Sequence, residues 1–373
     1  MERALVTGGA GFIGSHLVDA LVERGVQVRI LDNLDPQVHG AARAVPTYLN
    51  PRAELIRGDV RDRDLLGSAL EGVRVIFHLA AAVGVGQSMY EIERYVSANT
   101  LGTAVLLDIL ANRQPAVRKL VVASSMSIYG EGSYRCPSCG PAEPLPRTEA
   151  RMRESLWEPL CARCRTALVP QPTPEEKPLQ PTSIYAISKK DQEEMSLCIG
   201  RAYGIPTVAL RFFNVYGPRQ ALSNPYTGAA AIFSSRALNG KPPLVYEDGL
   251  QSRDFVHVSD IVRGLLLAMD SEAADYEVFN LGTGRALTVL EMAEIICRKV
   301  GPAGLRPLVA QKFRKGDIRH CYADVGRIGA LGYRPRVTFE EGIHDLAGWV
   351  RQQTAEDRLE EASTELAKRG LVS

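Results

Sequence analysis

No apolar run in this sequence approaches the ~20 residues that a membrane-spanning helix needs, and no long run of Lys or Arg occurs. With a formal net charge of +1, neither nucleic acid nor an anionic membrane surface is required as a partner, although local basic clusters could still bind phosphates. No secretory leader is expected, because "RALVTGGAG" runs from Arg3 straight into an apolar strand and a glycine-rich turn. Repeats and low-complexity tracts are missing too. The 373 residues are 45% hydrophobic and 23% charged, with 22 Pro and 33 Gly, which excludes disordered and collagen-like classes. The length suits one large α/β domain or a two-lobed enzyme, and the expected compartment is cytoplasmic.

What is present is alternation. Short β-rich runs at 4–6, 28–31, 53–56, 73–78, 119–124 and 207–213 are separated by helical periodicities such as Phe12–Glu23 and 91–112. Such alternation implies a parallel sheet with helices on both faces and a ligand at the carboxyl ends of its strands. Residues 131–182, rich in Pro, Cys, Glu and Arg, break the pattern. After about residue 214 it becomes mixed, with a loop "NPYTG", short strands, and helices near 259–269 and 290–300. The expected division is 1–213, carrying the insert at 131–182, and a smaller lobe at 214–350 that interleaves with the first, a strand near 277–281 returning to the sheet. In the tail, 351–373, Leu359, Ala362, Leu366 and Ala367 share one side of a charged helix, docked or frayed at the surface.

"VTGGAGFIGSHLVDAL" places Gly8, Gly11 and Gly14 between the first strand and its helix. These glycines let the backbone turn tightly and approach a pyrophosphate, whose charge the helix N-terminus stabilises. Asp32 closes the second strand in "RILDNLD". Its carboxylate can accept both ribose hydroxyls and would repel a 2′-phosphate, so NAD is expected rather than NADP. Asp59 and Val60 follow the third strand and could flank the adenine; Asp59 reads equally well as a helix N-cap. The fold class expected is a Rossmann-type doubly wound parallel sheet with a smaller interleaved α/β substrate lobe and a Cys-rich insert.

"SIYAISKK" carries Tyr185 and Lys189 one helical turn apart, on a shared face. An ammonium beside a phenol, with a positive nicotinamide ring nearby, would stabilise phenolate and lower the Tyr pKa toward working pH. "VVASSMSIYG" puts Ser125 at the end of the fifth strand, able to hydrogen-bond a substrate hydroxyl, with Ser124 and Ser127 structural or secondary.

Together with the glycine turn, these residues resemble the extended short-chain dehydrogenase/reductase family, and within it the nucleotide-sugar epimerases and dehydratases. The resemblance runs from about residue 3 to 350, outside the insert. It includes "HLAA" at 78–81, Asn99 in "SANTLGT", "LRFFNVYGPRQ", "DGLQSRDFVHVSD" and "FRKGDIRH". It implies a homodimer with tightly bound NAD in the N-terminal lobe, contacted by Gly8, Gly11, Phe12, Ile13, Gly14, Asp32, Asn33, Asp59, Val60, Leu79, Ala80, Ala81, Asn99, Tyr185 and Lys189. A nucleoside-diphosphate sugar would meet Ser125, Ser127, Asn214, Tyr246, Arg253, Arg314 and Asp317, with both arginines on the diphosphate, as guanidinium geometry suits.

Dehydratases of the family carry Asp-Glu just after the position of Ser125, and its decarboxylases a Glu at Ser127. Here Met126 and Ser127 stand there. The set resembles the 4-epimerase arrangement: Tyr185 moves the C4 proton while NAD holds the hydride, Lys189 tunes the phenol, and Ser125 orients or relays. Two positions depart from the pattern. Val83 replaces a Lys usual in epimerases of UDP-glucose, and Cys321 sits either at the sugar or in the core. The insert, "VGVGQSMYEI", "NPYTG" and the missing acids most resemble the 4-epimerases of dTDP-L-rhamnose. A UDP-glucose or UDP-N-acetylglucosamine 4-epimerase, an NAD(P)H-dependent 4-keto-6-deoxysugar reductase, and a non-catalytic protein that binds through its insert stay open.

Cysteine number is seven, four of them in two Cys-x-x-Cys knuckles: Cys136 with Cys139, and Cys161 with Cys164. In a reducing compartment that spacing favours tetrahedral S4 zinc, a closed structural site with no open coordination position. Disulfides or untethered thiols are the alternative.

Overall fold

In a computed structural model, which describes residues 2–372 apart from 114, 146, 223, 225–227, 315 and 354–358, seven parallel strands form the central sheet. They are β1 (Arg3–Thr7), β2 (Gln27–Asp32), β3 (Glu54–Arg57), β4 (Val75–His78), β5 (Lys119–Ser125), β6 (Thr207–Phe212) and β7 (Val278–Leu281). Their order is β7-β6-β5-β4-β1-β2-β3. The order reverses beside β1, which opens a crevice at the carboxyl edge there. The principal helices are α1 (Phe12–Glu23), α2 (Gly102–Arg113), α3 (Ile184–Tyr203), α4 (Ala229–Leu238), α5 (Val258–Asp270), α6 (Val289–Val300), α7 (Phe339–Arg351) and α8 (Leu359–Lys368).

Alternation along the strands assigns the two faces. Ala4 and Val6 of β1 point to the side covered by α1 and α5, packing with Leu17, Leu21, Ile261 and Leu265. Leu5 points the other way, against Leu106, Leu107 and Leu110 of α2, with Met195 and Ile199 of α3 at its margin. Each fully buried Leu contributes ~2 kcal/mol relative to exposure. The caps fix where helices begin. Ser183 accepts from the Ala186 N–H at the start of α3, and Gly204, at φ +66°, ends it. Capping boxes Thr288/Glu291 and Thr338/Glu341 open α6 and α7.

The smaller lobe has its own core, in which α4, α6 and α7 enclose Val245, Phe255, Leu287 and Phe339. β7 lies beyond the start of that lobe in sequence, yet it completes the main sheet against β6. The insert forms a three-stranded antiparallel sheet with Ser133–Cys136 between Gly140–Ala142 and Val169–Gln171.

One element differs from the sequence expectation, and a second resolves between its two alternatives. The run 91–112 is not one regular helix, because a π-helical turn over Val96–Leu101 separates a short helix, Ile92–Tyr95, from α2. The wider turn carries Asn99 into the interior and leaves Val96 and Leu101 exposed. The tail helix α8 is docked: Leu366 is buried, and Arg369 just beyond it lies over the Tyr90 ring at 4.2 Å. The side chains of Leu359 and Ala362, and most of "NPYTG", lie outside the described residues. Among the described residues, no helix is long and apolar enough to cross a membrane.

Candidate active site

A cleft of about 820 Å³ opens at the carboxyl ends of the central strands and is walled on its far side by the smaller lobe. The glycine turn forms its floor. Gly8 adopts φ +71°, and a Cβ there would sit 2.9 Å from the Ala80 nitrogen; a Cβ on Gly14 would sit 2.3 Å from the Gly8 carbonyl oxygen. The backbone therefore packs as closely as a phosphate cradle requires. Asp32 accepts from the Ala10 N–H at 3.0 Å and the Leu34 N–H at 2.9 Å. Its oxygens retain acceptor capacity for two ribose hydroxyls.

Asp59 lines the same wall. Its hydrogen bonds with Arg61, and the Asn33 amide beside them, hold it down to about 2. It caps no helix: the cap of the helix Arg63–Ala69 is Asp62. Phe12, Ile13, Val60, Leu79, Ala80 and Ala81 also line the cleft.

Asn99 does not. It is fully buried, exchanging hydrogen bonds with the Ala82 backbone at 2.7 and 3.0 Å and donating to Ser188 Oγ at 2.9 Å. These bonds clamp the loop after β4 to α3. Val83 on that loop is exposed, and Arg94, a cation elsewhere in the lining, is held by Asp35 and Glu91.

Ser125, Tyr185 and Lys189 all line the cleft. Ser125 ends β5, and its Oγ accepts from the Ser127 N–H at 3.2 Å and lies 3.0 Å from Ser127 Oγ. Ser88 Oγ accepts from the Tyr185 N–H at 3.0 Å. Burial pushes the Tyr185 phenol above its ordinary value, opposed by a hydrogen bond with Ser125. Burial also pulls Lys189 down to about 7, opposed by Glu193, while its Nζ donates to Gln192 Oε1 at 2.8 Å. The expected lowering of the phenol is therefore not produced by the chain's own groups alone. Desolvation outweighs the Ser125 hydrogen bond, and the positive charge invoked at the nicotinamide is not among those groups.

Sequence reasoning missed the support behind this trio. Glu193, one turn after Lys189, accepts from Ser124 Oγ at 2.6 Å and from Arg211 at 2.6 and 3.0 Å. Arg211 in turn donates to the Tyr129 hydroxyl at 2.8 Å. Ser124, which also lines the cleft, thereby anchors Glu193 behind the trio. A polar residue recurring on the buried side of an otherwise amphipathic helix is the signal that could have revealed Glu193.

On the opposite wall stand Asn214, Tyr246, Arg253, Arg314 and Asp317, with Ser127 below them. Asn214 Oδ1 is buried without a hydrogen-bond partner among the described residues. The Arg314 guanidinium lies over the Tyr246 ring at 4.6 Å, and its Nε is likewise unpaired. Arg253 already donates to the carbonyls of Ser252, Arg319 and Ile318 at 2.8, 2.9 and 2.6 Å, so part of its fork is committed to the wall itself. Cys321 does not reach the cleft. It is buried, 3.8 Å from Thr173 Oγ1, and burial raises its thiol to about 12, so its place is the core. Glu247, unremarked in the sequence, also lines this wall.

Cys136, Cys139, Cys161 and Cys164 bring their sulfurs within 4.8 Å of one another, and none is in a disulfide. Zinc–sulfur bonds of ~2.3 Å in a tetrahedron separate the sulfurs by roughly 3.8 Å, so the cluster has the size that such a metal needs. Hydrogen bonds from Thr166 draw Cys164 down to about 6, while those with Cys164 and Cys136 push Cys139 up to about 12. A divalent cation is what would let all four ionise together.

The family model described as "NAD dependent epimerase/dehydratase family" matches residues 4–150 and 165–282; its gap falls inside the insert. A dTDP-L-rhamnose 4-epimerase of Burkholderia thailandensis is 35% identical over 356 residues, covering 94% of this chain and 96% of that protein. The crystal structure of a UDP-glucose 4-epimerase from Thermotoga maritima with UDP-glucose is 31% identical. It superposes with a TM-score of 0.75, covering 94% of this chain and 99% of that one. A UDP-glucose 4-epimerase of Thermus thermophilus in complex with NAD, 30% identical, gives a TM-score of 0.71 over 94% and 99%.

Proposed function

This chain belongs to the NAD dependent epimerase/dehydratase family, and we propose that within it the protein is a nucleotide-sugar 4-epimerase, converting dTDP-L-rhamnose to dTDP-6-deoxy-L-talose through a transient 4-keto sugar. One observation carries the reaction type. Beside Tyr185 and Lys189 the turn after β5 offers Ser125, Met126 and Ser127 and no carboxylate. The acids of the cleft are instead Asp32, Asp35 and Asp59 on the glycine-turn side and Glu247 and Asp317 on the far wall. The site can move a proton at one hydroxyl, and among the described residues the turn beside Tyr185 and Lys189 offers no second acid or base to eliminate water or assist decarboxylation.

NAD, when bound, supplies a hydride acceptor and donor that is regenerated each cycle. Tyr185 takes the proton of the C4 hydroxyl and returns it. Ser125 holds that hydroxyl or relays its proton, and Lys189 supplies the charge that keeps the phenolate. Asn214, Arg253, Arg314 and Asp317 hold the nucleoside diphosphate while the sugar turns.

The sugar and base are supported by the relative from Burkholderia thailandensis. Zinc is proposed for the four cysteines, as a closed structural site. A second copy of the chain is proposed to cover Ile92, Val96, Leu101 and Ile187, which are 43–51% exposed on neighbouring helical segments.

The test is to incubate purified protein with dTDP-L-rhamnose, adding no cofactor, and to follow the C4 proton by NMR. Appearance of the 4-epimer is expected, and Tyr185→Phe should abolish it. Turnover of UDP-glucose or UDP-N-acetylglucosamine instead would move the assignment to those sugars. Stoichiometric consumption of reduced cofactor would replace epimerisation by keto-sugar reduction.

A further inference from the structure

We propose that the cysteine-pinned insert is a positioning device for the nucleotide side of the cleft, acting through Arg147 and Glu158. The proposal rests on the nucleotide-sugar reading above. Neither residue lines the cleft, yet both grip the segment that does.

Glu158 lies three residues before Cys161. Its Oε1 accepts from Arg319 Nε and Nη2 at 2.9 and 2.6 Å, and its Oε2 accepts from His320 Nε2 at 3.0 Å. The opposite nitrogen of His320 accepts from the Ser252 N–H at 3.1 Å, which fixes the imidazole tautomer and joins the insert to the residue preceding Arg253. Arg319 is wholly buried and also donates to Glu247 and Asp248. At the other end of the segment, Trp157 packs edge-on to Phe313 with ring centroids 6.2 Å apart. The insert therefore holds both ends of the stretch 313–320, and Arg314 and Asp317, which face the cleft, lie between them.

Arg147 works on the wall itself. It donates to the Asp317 carbonyl at 2.7 Å and to Glu247 Oε1 at 2.8 Å, while Arg319 takes Glu247 Oε2 at 2.9 Å. Glu247 is buried in that wall. With both oxygens paired it is neutralised; unpaired, it would repel an incoming diphosphate. Ser125, Tyr185 and Lys189 sit on β5 and α3, outside this network. The insert should thus set how tightly the nucleotide is held and leave the chemical step alone.

The experiment uses the full chain with its NAD and compares wild type with Arg147→Met, Arg147→Lys and Glu158→Gln. It measures dTDP and UDP binding by calorimetry, kcat and KM separately, and hydrogen exchange over 313–320. Arg147→Met and Glu158→Gln should weaken nucleoside diphosphate binding and raise KM about tenfold or more, the loss expected when a charged hydrogen bond goes. They should leave kcat within about twofold and NAD content unchanged, while exchange over 313–320 quickens. Arg147→Lys should recover part of the affinity. If Arg147→Met fails to fold, the isosteric Glu158→Gln carries the comparison. Unaltered nucleotide affinity in the variants, or a fall in kcat at constant KM, overturns the proposal while leaving the nucleotide-sugar reading standing. A wild type that binds neither dTDP nor UDP overturns both.

Discussion

Replacing Lys189 by Met tests the electrostatics at the heart of the cleft. In the native chain burial holds the ammonium at about 7, and the neighbouring phenol stands above its ordinary value of about 10. Lys189→Met removes the cation one helical turn from Tyr185, so the phenol has no neighbouring ammonium to favour its ionised form. At pH 7 kcat/KM should fall about a hundredfold or more, the scale of general acid–base catalysis, with the deficit closing as pH rises. Stability gives an independent reading with its own sign. Because the folded pKa of Lys189 lies below its unfolded value of about 10.5, the unfolded chain binds more protons between pH 7 and 10.5. Wild-type stability should accordingly increase across that window and be lost as pH falls through 7. Lys189→Met should lose that slope. Stopped-time NMR assays from pH 5.5 to 10.5, with melting curves in the same buffers, measure both. A variant that kept wild-type kcat/KM across this range would refute the role given to the Lys189 charge.

Two further outcomes follow from packing and from the cysteines. In Gly14→Ala the new Cβ would lie 2.3 Å from the Gly8 carbonyl oxygen, so α1 must retreat by roughly 1 Å from the phosphate turn, and a misplacement of that size is worth about a hundredfold; the purified variant should carry little NAD, and full occupancy at an unchanged melting temperature would contradict the close approach described. Elemental analysis should find about one zinc per chain, and Cys161→Ser should lose the metal and lower the melting temperature while retaining NAD; metal-free wild type with four titratable thiols would contradict the closed site.

Much of the site could be read from the chain because its residues are local to one motif. Gly8, Gly11 and Gly14 lie within one turn, Tyr185 and Lys189 within another, and the periodicity of Leu17, Val18, Leu21 and Val22 marks the helix between Phe12 and Glu23 as it stands in the fold. What escaped was set by contacts far apart in sequence. Asn99 turns inward because Ala82 and Ser188 both bond it, and a 3.6-residue period cannot register the widened turn that allows this. Glu158 looks like any surface acid, its partner Arg319 being 161 residues away. The state of Tyr185 and Lys189 depends on desolvation, a property of the assembled core that no spacing of residues encodes.

Strand β7 ties the order of synthesis to the order of assembly. Until Val278–Leu281 has left the ribosome, β6 has an open edge, with Ala209 and Leu210 among the backbone groups awaiting partners. An unpaired apolar edge of that kind is a template for pairing with other chains. By then most of the smaller lobe's walls, including Asn214, Tyr246 and Arg253, have already emerged. A fragment ending before β7 would carry the glycine turn and the Ser–Tyr–Lys trio and still lack the seventh strand of the sheet and the wall bearing Arg314 and Asp317. The enzyme thus completes its cleft only in the last quarter of its length, once Arg314 and Asp317 have emerged.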